Sequence, residues 1–156
     1  MAEAKDTFTI ERTATIGAPA ATIYALVADF HQWGQWSPWE DIDPGMQRTF
    51  SGSESGVGAV YEWSGNRKAG SGRMEITEAD EPAGVTIDLQ VLKPFKAHNT
   101  TTFTLAAEGD STAVRWTMTG PMTFMTKVMG IFKSMDAMVG PDFEKGLAQL
   151  KAAAEG

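Results

Sequence analysis

The side chains able to do chemistry in this sequence are few and scattered. It has two histidines, His31 and His98, and no cysteine. That excludes a thiol nucleophile, a thiolate metal site and a disulfide framework. Two imidazoles so far apart have no zinc or iron spacing, and neither a metal nor a cofactor is expected. His98 alternates with Thr100 and Thr102 on the polar side of a strand pattern, which removes it from an apolar interior. Arg12 has the parity of Ile10, Ala14 and Ile16, so its guanidinium needs an acid, a carboxylate ligand or a route to water. Glu40, just past a tryptophan cluster, is a candidate acid at a cavity mouth. A reaction inside an apolar cavity would have to draw on Arg12, Tyr61 or Glu40, and no catalytic residue is assigned.

Side chains suited to binding are better represented. Trp33, Trp36 and Trp39 crowd one irregular corner, where each offers wide apolar contact and one N–H donor. They form either one mouth of a pocket or a local lid on the fold. Asn99 and Thr101 share parity with Phe103 and Leu105, which places an amide and a hydroxyl on the dry face of a strand, where buried polar groups must satisfy each other or orient a ligand. Tyr61 and Trp116, with Trp63 and Met118 on the same alternations, add apolar surface with single polar atoms. Towards the C-terminus Met122, Met125, Met129, Met135 and Met138 join Phe124, Val128 and Phe132. Unbranched polarizable side chains at helical spacing build either plain core or an adaptable wall. Met125 and Met129 lie off the main stripe and face either the space under the sheet or a partner protein.

The elements that must position these residues follow from periodicity. Thr7 to Ile16 alternates with period 2 and reads as the first strand. Gly17-Ala18-Pro19 ends it and opens a short helix with Ile23, Leu26 and Val27 on its apolar stripe. Asp29 caps a second short turn through Trp33. From Met46 to Gly120, apolar alternation is broken by turn clusters at Ser51 to Gly58, Gly65 to Lys68, Asp80 to Gly84, Pro94 to Lys96 and Glu108 to Ser111, the mark of an antiparallel meander. Glycine pairs Gly56/Gly58 and Gly70/Gly72 read as hairpin or bulge residues, since no helix or lysine follows them as in a phosphate loop. After Pro121 the period becomes helical to about Ala153, with a kink or a break expected at Gly140-Pro141.

At 156 residues the chain fits one domain, 1–156, with a core large enough to stand without staples. A net charge of −7 with scattered basic residues argues against nucleic acid and anionic membranes. No stretch is apolar enough to insert in a bilayer, and the first residues lack a secretory pattern. A cytoplasmic protein is therefore expected.

The segments Ile16-Gly-Ala-Pro-Ala, Val27-Ala-Asp29 and Trp33-Gly-Gln-Trp36-Ser-Pro-Trp39 resemble the opening of bacterial polyketide cyclase/dehydrase-like proteins of the SRPBCC, or START-like, superfamily. So do Trp116-Thr-Met118-Thr-Gly120 and Gly140-Pro-Asp-Phe-Glu-Lys-Gly-Leu147. The resemblance covers nearly the whole chain. It implies an α+β helix-grip fold: a curved antiparallel sheet of about seven strands, two short helices after strand one, and a long kinked C-terminal helix. It also implies carriage or sensing of a small hydrophobic, lipid-like or polyketide-like ligand, with the chain a monomer or homodimer. An enzyme of the cyclase or dehydratase kind using the same cavity remains an alternative, as does a protein-interaction module working through the methionine-rich helix. The expected ligand-binding set is Trp33, Trp36, Trp39, Tyr61, Trp63, Asn99, Thr101, Phe103, Trp116, Met118, Phe124, Met125, Val128, Met129 and Phe132.

Overall fold

The computed structural model describes residues 7–37, 45–65, 70–93, 97–121 and 132–156, and for 132–139 the helical backbone alone. Trp39, Glu40, Met122, Phe124, Met125, Val128 and Met129 lie outside these residues, as do the side chains of Phe132, Met135 and Met138.

Strand β1, Thr7–Ile16, takes the bounds set by its alternation, with Phe8, Ile10 and Ile16 buried on one face. Helix α1, Ala20–Val27, follows, with Pro19 in extended geometry as its N-cap. Its apolar side buries Ile23, Leu26 and Val27 and also Tyr24. Burial pushes the Tyr24 phenol above its ordinary pKa, and the carboxylates of Glu81 and Asp80 add to the effect. A 3-10 turn, Phe30–Gln35, comes next, capped as its sequence predicts by Asp29, whose Oδ1 accepts the His31 N–H at 2.9 Å.

The meander then runs through β2 (Gln47–Gly52), β3 (Ala59–Ser64), β4 (Ser71–Asp80), β5 (Gly84–Lys93), β6 (Ala97–Glu108) and β7 (Ser111–Pro121). All neighbours pair antiparallel in the order β1-β7-β6-β5-β4-β3-β2, so the first strand closes beside the last and β1 and β2 are the edges. Hairpin turning is local because each loop carries its own turn residues, among them Gly56, Gly58, Gly70 and Gly109 at positive φ. Register shifts at Ser71/Gly72 and Ile76/Glu78 add bulges to β4, which bend a sheet. One face takes the predicted apolar set. The other carries Glu62, Arg73, Glu75, Asp88, Gln90 and His98, with Arg73 paired to Glu75 along β4 at 3.1 Å and Asp88 paired to His98 across β5 and β6.

Helix α2, Phe132–Glu155, continues through Pro141 as one element. Of the kink or break expected there, the break does not occur. The proline ring faces solvent, and Gly140 beside it is buried under the Arg12 guanidinium, which occupies the space a Cβ would need. At the other end the Glu155 carboxylate accepts the Gly17 N–H at 2.7 Å. The last 15 residues of α2 rise about 22 Å, close to the span of β1 from Arg12 to Gly17 plus the reach of the arginine. The helix therefore runs alongside β1 in its direction and covers the β1–β7 side of the dry face with Phe143, Leu147 and Leu150.

Candidate functional site

The dry face divides into two zones. Beneath α2 and the 3-10 turn, aromatic rings fill the interior. Trp33 packs on Phe30 and Trp36, with centroids 5.3 and 4.6 Å apart, and Trp36 meets Phe103 and Trp116 edge-on. Phe103 stacks on Trp116 at 4.8 Å, and Trp116 stacks on Phe143 at 4.1 Å with the planes 6° apart. This column joins the corner, the sheet and the helix into one core. The Trp33 indole donates to the Val27 carbonyl at 3.1 Å and Trp36 to that of Leu26 at 3.0 Å. In the described part of the tryptophan corner both N–H groups are used in tying the turn to the end of α1.

The second zone lies over β3 to β6. Here one lateral row of the dry face runs Phe50, Tyr61, Met74, Leu89, Asn99, Gly120, Phe8, and the next runs Ile76, Ile87, Thr101, Met118, Ile10. Trp63 stands in a third row and lies across β4 above Gly72, whose missing Cβ leaves room for the indole. Trp63, Met74 and Leu89 are half-buried, against the closed packing of the aromatic column. The structure brings Tyr61, Trp63, Asn99, Thr101 and Met118 onto one face of the sheet; Tyr61 and Met118 are buried in the same core cluster as Trp33, Trp36, Phe103 and Trp116, while Trp63 is half-buried. Phe50 closes the rim at the β2 edge, where the His31 ring stacks on it at 4.3 Å and His31 Nδ1 meets Asp29 Oδ1 at 2.8 Å.

Two polar side chains stand in this apolar zone. Asn99 is 8% and Thr101 6% exposed. No side-chain hydrogen bond of either is found among the described residues, and neither stands among the fully buried unpaired polar atoms. Polar atoms that keep some access within an apolar surface can take up a hydrogen bond from a bound molecule. Arg12 is different: it escapes along the edge of the sheet to Glu144 of α2 at 2.9 Å and to the Glu11 carbonyl at 2.8 Å. On the described strands no inward position carries a carboxylate or an imidazole. His98 lies on the wet face as its parity predicts. Burial there tends to raise the Asp88 pKa, but hydrogen bonds from His98 and Gln90 and the nearby charges outweigh it and hold the carboxyl below its usual range.

Two surface grooves border α2. One, of about 580 Å³, lies between β1 and the helix and is lined by Glu11, Arg12, Glu144, Leu147 and Lys151. The other, of about 380 Å³, separates the 3-10 turn from Gln149, Ala152 and Ala153. Both are flanks of the helix and neither opens onto Asn99 or Thr101.

Sequence reasoning listed Asn99 and Thr101 but missed Gly120 and Leu89 beside Asn99, and Met74 and Phe50 further along the same row. Strand parity supplied a signal for Met74 and Leu89. Gly120 and Phe50 needed the pairing register of β6 with β7 and of β2 with β3.

A family model described as polyketide cyclase / dehydrase and lipid transport matches residues 7–155. No curated protein matches the chain. Among solved structures, protein CV1439 from Chromobacterium violaceum superposes with a TM-score of 0.68 at 16% identity, over 95% of this chain and 97% of its own. The di-domain ARO/CYC StfQ from the steffimycin biosynthetic pathway gives 0.73 at 10% identity, with 99% of this chain covering 52% of that protein, about one of its two domains. The Aha1 dimer from Colwellia psychrerythraea gives 0.61 at 19% identity, over 94% and 96% of the two chains. At these identities the likeness is one of fold: the seven-stranded sheet gripping a C-terminal helix.

Proposed function

Since this chain belongs to the polyketide cyclase / dehydrase and lipid transport family, we propose that it binds a small hydrophobic molecule on the half-buried zone of its dry face. The observation that carries this reading is the Asn99–Thr101 pair, two largely buried polar side chains side by side in an otherwise apolar surface. Tyr61, Trp63, Met74, Leu89 and Met118 would supply the apolar contact, at about 25 cal/mol per Å² removed from water. Asn99 and Thr101 would orient the ligand's polar end.

The family description supports a second reading, processing of a polyketide-like chain in the same space, where shaping a reactive molecule can itself accelerate ring closure. The dry face favours carriage: its inward strand positions offer no acid or imidazole for proton transfer among the described residues. Native mass spectrometry of the freshly purified protein tests the proposal. An apolar mass that co-purifies with the chain and is lost in Asn99→Leu supports it. A chain that carries nothing, and does not take up a neutral apolar dye such as Nile red, overturns it.

A further inference from the structure

The two edges of the sheet differ. Along β1 the helix α2 runs beside the strand, with Arg12 paired to Glu144. At the other edge every residue of β2 is exposed except Arg48, which is half-buried. The phase of the hairpins tells which backbone groups of β2 face outward. Ser53 N–H donates to the Gly58 carbonyl at 3.1 Å, and Gly65 N–H to that of Gly70 at 2.8 Å. Counting back by twos, Ser64, Glu62 and Val60 of β3 turn toward β2, and their partners Gln47, Thr49 and Ser51 turn toward β3. The N–H and C=O groups of Arg48, Phe50 and Gly52 therefore point away from the sheet.

Strand edges are commonly blunted by lysine, proline or a bulge. Gln47–Gly52 contains neither lysine nor proline, and its register against β3 is continuous. It carries no acid, so in a chain of net charge −7 it is a place where two copies can meet without opposing carboxylates. Its one charge, Arg48, selects the register. Outward-facing residues must pair with outward-facing residues, so a second β2 laid antiparallel about a two-fold axis centres on Arg48, Thr49 or Phe50. Centring on Arg48 sets two guanidinium groups against each other, which is destabilising. Centring on Phe50 leaves each guanidinium beside Gly52, with no side chain to meet. Centring on Thr49 sets Arg48 of each copy opposite Phe50 of the other, in pairs that exchange both backbone hydrogen bonds.

The side chains agree with that last register. Phe50 is 38% exposed, with His31 stacked on it at 4.3 Å and Tyr61 edge-on at 5.3 Å. A guanidinium on its open side gains a cation–π contact, made twice by symmetry. On the wet face Thr49 meets Thr49 and Gln47 meets Ser51, uncharged pairs able to hydrogen-bond.

We propose that β2 is a self-association edge: two copies of this chain pair their β2 strands antiparallel about an axis at Thr49, continuing one seven-stranded sheet into the other. The ladder is about 20 Å long. That is small beside the roughly 1,200–2,000 Å² of a permanent interface, so the dimer forms and dissociates, with a Kd on the order of 100 µM. The pairing needs no ligand on the dry face.

Sedimentation of the full chain from about 10 µM to about 1 mM tests the association, and disulfide cross-linking tests the register. The chain has no cysteine of its own. Thr49→Cys puts the two thiols on the axis, with Cα atoms about 4.5 Å apart, whereas Ser51→Cys puts them about 14 Å apart, beyond disulfide reach. Under mild oxidation Thr49→Cys is expected to form the linked dimer about tenfold faster than Ser51→Cys. Arg48→Pro removes an outward N–H, keeps the bonds to β3, and should leave the chain monomeric at about 1 mM. A wild type that stays monomeric throughout, equal cross-linking of the two cysteine variants, or a dimer undiminished in Arg48→Pro overturns the inference. Should the proline variant not fold, the two cysteine variants, both at exposed positions, decide it.

Discussion

At Glu155 one side chain closes the end of the molecule. Its carboxylate takes hydrogen bonds from Lys151 and from the Gly17 N–H. The Lys151 hydrogen bond, then that of Gly17, and finally the lysine charge hold its pKa below the usual glutamate range, against a smaller opposing effect of burial. A carboxyl whose folded pKa is depressed contributes stability above its unfolded pKa and loses it as pH falls through the folded value. Glu155→Gln should therefore melt below wild type at pH 7, and the gap should narrow as pH falls below about 4, near the unperturbed glutamate pKa. Thermal melts at a series of pH values read this directly, and a gap that widened in acid would be inconsistent with it. The Arg12–Glu144 bond is a different case: with side chains 25% and 63% exposed, it stands in water and salt and contributes no more than about 1 kcal/mol.

At the scale of elements, α2 and β1 are fitted to each other through Gly140. A glycine inside a helix costs about 1 kcal/mol against alanine, a cost this helix accepts because the Arg12 guanidinium lies where a Cβ would be. Gly140→Ala in an Arg12→Ala background should stabilise the protein by about 1 kcal/mol, the propensity difference alone. In the wild type the same change should give less, or a loss, because the guanidinium must leave Glu144. A double-mutant cycle in urea measures the coupling, and additivity would show that the two residues do not compete for space. The helix is fixed to the sheet by a larger contact, the stack of Phe143 on Trp116. Phe143 is 1% exposed, so Phe143→Ala should cost about 3–5 kcal/mol in a urea titration.

For the whole molecule, the distribution of filled and open interior matters more than any single contact. The aromatic column occupies the dry face under α2, and the half-buried apolar zone lies beyond it over β3 to β6. A binding function then needs no separate domain or loop insertion. In the proposed function the ligand lies on the part of the sheet away from α2, since a helix with its side chains is about 10 Å wide while seven strands span about 29 Å. No helix among the described residues is long and apolar enough to cross a membrane.

Period-2 alternation determined the bounds of β1, the wet and dry faces of the meander and the inward parity of Arg12, Asn99 and Thr101, because side-chain direction in a strand is a local property. The turn clusters determined the hairpins for the same reason. What only the tertiary structure decided is which inward residues meet. Trp33, Trp36 and Trp116 read from sequence as equal candidates with Tyr61 and Trp63, yet all but Trp63 became core, the tryptophans when the 3-10 turn folded back onto β6, β7 and α2. Asn99 acquired its neighbour Gly120 only when β6 paired with β7. Alternation states which face a side chain takes; register and the path of the last helix, both products of long-range packing, state what lies beside it and whether that place is filled.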